Sequence, residues 1–128
     1  MKTVGEVMAR SLLTLTEDAS LTAAATEMAT RSVGSALVLD GDKLVGIITE
    51  RDVLRAVGSG NVDGRVGEWM TRHPETVDAD ESTQQAGVVM IHGGFRHLPV
   101  LDGATPVGIV SIRDLMRTVL EDISPRGV

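Results

Sequence analysis

The apolar positions of this chain run through the same order twice. A short amphipathic stretch at 4–8 and an extended piece at 14–16 come first, and then Leu21, Ala24, Ala25 and Met28 recur at the spacing of one helix face. Asp18 or Ser20 stands where that helix needs an N-cap. Two apolar runs, 36–39 and 44–48, then flank Asp40-Gly41-Asp42, and Asp-Gly supplies the positive φ of a tight hairpin turn. A helix is expected over 50–57. The second pass gives an amphipathic stretch at 66–70, an extended piece at 76–78, and a helix with Ala86, Val89 and Met90 inward behind Asp80 or Ser82. A hairpin of 98–101 and 107–110 around Asp102-Gly103 and a helix over 112–120 complete it.

The two passes align residue by residue at a constant offset of 62, without a gap. Val4, Gly5, Glu6 and Met8 return as Val66, Gly67, Glu68 and Met70, and Val38-Leu39-Asp40-Gly41 returns as Val100-Leu101-Asp102-Gly103. Arg51, Asp52 and Arg55 return as Arg113, Asp114 and Arg117. The chain is therefore read as repeats 1–61 and 62–128, each a β-α-β-β-α unit of the α+β class. A unit of about sixty residues covers its own sheet poorly, so two copies are expected to cover each other. Gly58, Gly60 and Gly64, with Ser59 and Asn61, read as a flexible join, and 124–128 as a fraying tail.

Composition narrows what such a fold can do. With 42% hydrophobic and 23% charged residues the chain is no disordered segment. One Trp, one Phe and no Tyr leave nothing for a base-stacking platform, and a net charge of −6 opposes a phosphate polymer, so nucleic acid is excluded as the main partner. The absence of Cys removes disulfides, thiolate metal sites and thiol nucleophiles. No apolar run is long enough to span a bilayer, and the start lacks an apolar leader segment, so a cytoplasmic location without membrane contact is expected.

The repeated chemistry sits where the second hairpin strand meets the last helix: Gly46-Ile47-Ile48-Thr49-Glu50-Arg51-Asp52 and Gly108-Ile109-Val110-Ser111-Ile112-Arg113-Asp114. Two readings are open. Thr49 or Ser111 with an acid three residues on is close to a capping box, which satisfies the first amides of a helix. Capping does not account for Arg51 and Arg113, cations at the positive end of a helix dipole. A hydroxyl, free amides and an Arg outline a phosphate site, an Asp can accept from the vicinal hydroxyls of a ribose, and Gly at the strand end admits close approach of ligand or backbone. Phosphate, ribose and an aliphatic slot together describe an adenosine nucleotide.

Other residues point less far. His92 and His97 lack the same-face spacing of a helical metal pair, no metal site is expected, and His73 and His92 read as surface residues. Gly93-Gly94 reads as a helix end, and Trp69, which replaces Val7, as a core or dimer contact. No nucleophile with a base is visible, and acids beside Arg suit binding better than proton transfer, so no catalytic residue is expected.

The gapless repeat, the opening Val-Gly-Glu, the two Gly-to-Asp segments and Phe95-Arg96-His97-Leu98-Pro99-Val100 resemble a tandem pair of CBS domains, a Bateman module, over nearly the whole chain. The resemblance implies two repeats packed sheet to sheet with pseudo-twofold symmetry, and two clefts for AMP, ADP, ATP or S-adenosylmethionine, with any Mg²⁺ requirement open. It implies a homodimer that regulates a partner protein. One cleft would use Ser111, Arg113 and Asp114, with Thr14, Leu15 and Val33 walling the adenine; the other would use Thr49, Arg51, Asp52, Thr76, Val77 and Phe95. Where the second repeat has Arg96-His97 the first has Gly34-Ser35, so the Asp114 cleft is expected to be favoured. The alternative is a ligand-free dimerisation scaffold in which both motifs are only caps.

Overall fold

The computed structural model describes residues 2–121; the tail at 124–128 lies outside the described residues. In chain order the elements are α1 (Val4–Val7), β1 (Thr14–Leu15), α2 (Leu21–Arg31), β2 (Ser35–Asp40), β3 (Lys43–Thr49), α3 (Glu50–Gly58), α4 (Val66–Trp69), β4 (Thr71–Arg72), β5 (Val77–Asp78), α5 (Thr83–Gly93), β6 (His97–Asp102), β7 (Thr105–Ser111) and α6 (Ile112–Glu121). They make a mixed α+β protein with two sheets, ordered β1-β2-β3-β4 and β5-β6-β7.

Local chemistry explains most of these elements. Ser20 and Ser82 cap α2 and α5, their hydroxyls accepting from the Ala23 and Gln85 amides at 3.0 and 3.1 Å. Gly94, at φ 72°, closes α5 in the left-handed region that glycine enters freely. The hairpins β2–β3 and β6–β7 are antiparallel and turn at Gly41 and Gly103, with φ near 62° and 63°. Each first strand, β1 or β5, lies parallel to its hairpin, with α2 or α5 as the crossover. Strand β4 was not anticipated: two residues carry no readable alternation, and it is fixed by pairing Ile47 with Thr71.

Leu12–Pro74 form one compact unit, and the residues through Ser11 with those from Glu75 onward form the other. These units divide the chain differently from the sequence repeats at 1–61 and 62–128. The core of the first holds Leu21, Met28, Val38 and Ile48 together with Val66, which belongs to the second repeat's opening. The core of the other holds Met90, Leu98, Val100 and Val110 together with Val4. Backbone bonds fix the exchange: Val66 and Gly67 donate to the Ala19 and Glu17 carbonyls, and Val4 and Gly5 donate to those of Glu81 and Ala79.

The glycine join is not a loose linker. Helix α3 continues through Gly58, and the amides of Ser59, Gly60 and Asn61 donate to the Arg55, Val57 and Ala56 carbonyls. Gly64 is buried, its carbonyl accepts from Leu21, and the Asn61 side chain fills the space a Cβ would need. The small residues allow that tight path, and their composition alone does not distinguish it from flexibility.

Candidate functional site

Both Gly-to-Asp segments fold into capping boxes. Thr49 lies in extended backbone, its amide and hydroxyl donate to Asp52 Oδ2 at 2.9 and 3.0 Å, and its hydroxyl accepts from the Asp52 amide at 3.3 Å. The Ser111 amide donates to Asp114 Oδ2 at 2.8 Å, and the Asp114 amide donates to Ser111 Oγ at 3.1 Å. The other oxygen of each acid meets an Arg one turn on: Arg55 to Asp52 Oδ1 at 3.2 Å, Arg117 to Asp114 Oδ1 at 3.4 Å. These two arginines were visible in the sequence only as a repeated pair; their role follows from the i,i+3 geometry of a helix.

The glycines of the motif serve packing. A Cβ on Gly46 would stand 2.9 Å from the Thr71 carbonyl oxygen, and one on Gly108 would stand 2.8 Å from that of Ala9 and collide with Met8 Sδ. The close approach read from the sequence is thus made by backbone and methionine in each unit.

The two junctions differ in what is left over. At the first, Asp52 is 7% exposed and the Thr49 hydroxyl hydrogen points at its carboxylate. At the second, the Asp114 side chain is 15% exposed against 10% for that of Asp52, so burial hardly separates the two, but the Ser111 hydroxyl donates to no acceptor among the described residues. Arg113 and Arg51 are exposed, with no side-chain partner among the described residues.

Sheet register brings the remaining candidates of the second repeat to the same place. His97 pairs with Ser111 across β6–β7, and the Ile112 amide donates to the Arg96 carbonyl at 2.9 Å. Arg96 is exposed and His97 half-buried. Backbone pairing therefore brings positions 96 and 97 beside Ser111, Arg113 and Asp114 at the start of α6. In the first repeat the corresponding bond runs from Glu50 to Gly34, and Ser35, paired with Thr49, is buried, so no second cation arrives.

The residues expected as ring walls fall in both units. Thr14 is exposed; Leu15 and Val33 are half-buried at the edge of the first core. Thr76 is half-buried, Val77 belongs to the other core, and Phe95 packs against that core. Thr14, Leu15 and Val33 share a unit with Thr49, Arg51 and Asp52, whereas Thr76, Val77 and Phe95 share one with Ser111, Arg113 and Asp114.

Both last helices also present exposed apolar residues at matching positions, Leu54 and Val57 on α3, Met116 and Val119 on α6. A shallow groove on α6 runs between Arg113, Met116, Arg117 and Leu120. Among the described residues no helix is long and apolar enough to cross a membrane.

Known proteins share this arrangement. An uncharacterised 17.7 kDa protein of Acidianus ambivalens is 35% identical over 92% of this chain and 73% of its own length. The uncharacterised protein MJ1225 of Methanocaldococcus jannaschii is 32% identical over 93% of this chain, which spans 43% of that longer protein. Among solved structures, a candidate signal-transduction protein with CBS domains from Burkholderia ambifaria superposes with a TM-score of 0.91 at 34% identity, covering 99% of this chain and 100% of its own. The CBS domain pair of protein MJ0100, solved with 5-methylthioadenosine and S-adenosyl-L-methionine, gives 0.91 at 26% identity over 96% and 99% of the two chains. CBSX2, solved with AMP, gives 0.80 at 25% over 95% and 98%. Residues 4–59 and 66–121 each match the CBS domain family, and with the repeat, the two sheets and the paired strand-to-helix junctions in agreement, the chain belongs to that family and carries two of its domains in tandem.

Proposed function

We propose that this chain is a regulatory module that holds an adenosine-containing ligand at the β7–α6 junction and passes its occupancy to a partner protein or a second copy. The carrying observation is the convergence of Arg96, His97, Ser111, Arg113 and Asp114 at one helix start. Arg96 and Arg113 supply cations for phosphate, while Asp114 retains acceptor capacity for ribose hydroxyls. The ligands of MJ0100 and CBSX2 support the class, since all three contain adenosine. Two guanidiniums against one carboxylate favour AMP, ADP or ATP over the cationic S-adenosylmethionine. Regulation follows if the ligand binds one conformation better than another and so shifts the population toward it. The reading includes a cytoplasmic setting and binding without turnover: ATP incubated with the protein is recovered unchanged.

The test is a thermal melt with AMP, ADP, ATP, S-adenosylmethionine and, as control, inorganic phosphate. A ligand at about a hundred times its Kd adds roughly 2.7 kcal/mol, a rise of several degrees. Asp114→Ala is expected to abolish the rise and Asp52→Ala to retain it; equal losses in the two variants contradict the assignment. No rise with any nucleotide leaves both motifs as caps, and the module as a scaffold.

Self-association is the second part of the proposal. Met116 and Val119 are 49% and 51% exposed, so charging them costs the monomer little. Met116→Glu with Val119→Glu is expected to convert a sedimenting dimer to monomer with the melting temperature of the isolated chain unchanged. A variant that remains dimeric places the contact elsewhere.

A further inference from the structure

One aromatic of the Leu12–Pro74 unit has no part in the site proposed above. Trp69, the chain's single tryptophan, closes α4 and packs against the first core. Its indole Nε1–H is buried with no acceptor among the described residues, which native structures seldom retain without a compensating gain. Val7 occupies the corresponding position of the other opening segment, so the fold does not require a tryptophan there. What Trp69 adds is a ring face. The Arg55 guanidinium lies 5.7 Å from the ring centroid, within cation–π range, while its Nη1 donates to Asp52 Oδ1 at 3.2 Å.

Arg55 is thus held from two sides, and both oxygens of Asp52 are engaged within the first repeat, Oδ2 by Thr49 and Oδ1 by Arg55. Asp114 also has both oxygens engaged, Oδ2 by the Ser111 amide and Oδ1 by Arg117 at 3.4 Å, but no hydroxyl donates to it as Thr49 does to Asp52, and Val7 offers no ring face. We propose that Trp69 is a positioning residue: by holding Arg55 on Asp52 it commits that carboxylate inside the protein and leaves Asp114 as the acid open to a ligand's vicinal hydroxyls. This rests on the adenosine reading above and adds a second cause, beside Gly34-Ser35 in place of Arg96-His97, for the inequality of the two junctions.

Two measurements on the full chain test it, calorimetric titration with AMP and a ligand-free NMR measurement of arginine Nε–H exchange. Wild type takes one AMP per chain and Asp114→Ala takes none. Trp69→Val with Asp114→Ala regains a site, weaker than that of wild type for want of a counterpart to Arg96, which Asp52→Ala removes again, whereas Trp69→Phe, which keeps a ring face, stays at one AMP. Arg55→Met with Asp114→Ala regains the site with the tryptophan in place, which covers the case of a Trp69→Val chain that does not fold. Without ligand, the Arg55 Nε–H exchanges several-fold more slowly than that of Arg117, and the difference collapses in Trp69→Val. Equal exchange at the two arginines in wild type overturns the proposal, as do two equal AMP sites in wild type or a folded Trp69→Val/Asp114→Ala chain that binds none. A wild type that binds no AMP while Arg55 stays slow overturns the adenosine reading and leaves the positioning of Arg55 standing.

Discussion

A chain that begins at Leu12 is expected to lose amide-exchange protection across 75–121 and to keep it across 12–58, although the deletion falls within the first repeat. The opening segment contributes Val4, fully buried in the core of the unit that starts at Glu75. Burying a valine is worth about 1.5–3 kcal/mol. The segment also makes backbone bonds, from Val4 to Glu81 at 2.8 Å, from Gly5 to Ala79 at 2.9 Å, and a reciprocal pair between Ala9 and Ile109. Each is worth about 0.5–1.5 kcal/mol net. The exposed Lys2–Glu121 pair at 3.1 Å adds little. The sum is on the order of 5 kcal/mol, comparable with the whole stability of many domains. Peptide-level hydrogen exchange after the deletion checks it: loss confined to 12–58, or spread evenly, contradicts the exchange of opening segments.

That exchange marks a boundary of what the sequence could reveal. Helices and hairpins were legible because their signals are local: Ser20 before Leu21 and Ala24, or Asp40-Gly41 between two apolar runs, act over a few residues. Which core receives Val4 and which receives Val66 is a different question. Both are valines followed by Gly-Glu, and identical residues in identical contexts carry no information about their destinations. The site divides the same way. The hydroxyl-to-acid spacing announced the helix caps, and the contrast of Arg96-His97 with Gly34-Ser35 announced the unequal junctions. That Arg55 is shared between Asp52 and Trp69 needed three dimensions, since residues 55 and 69 are joined by a helix end, a turn and another helix. Val77, a ligand wall only through the family resemblance, is 7% exposed and belongs to the core of the unit that starts at Glu75.

The two glycines of the repeated motif separate the binding and packing readings by experiment. Gly108→Ala is expected to lower the melting temperature by on the order of 10 °C and Gly46→Ala by a similar amount. The new methyl at 108 lies 2.8 Å from the Ala9 carbonyl oxygen, and that at 46 lies 2.9 Å from the Thr71 oxygen. Met8 and Met70 can swing aside, being flexible. The carbonyls cannot, because each belongs to a segment paired with the glycine's own strand, Ala9 with Ile109 and Thr71 with Ile47. Relief therefore requires the opening segment to lift from the sheet, at about 1–3 kcal/mol for an overpacked contact. Gly58→Ala is the internal control, since a Cβ there meets open space at a helix end and the melt should hold or rise slightly. Had these glycines been kept to admit a ligand, Gly108→Ala would melt like wild type in buffer and lose only its response to AMP. A drop in buffer alone assigns the glycine to the sheet, and leaves recognition of the ligand to Arg96, Ser111, Arg113 and Asp114.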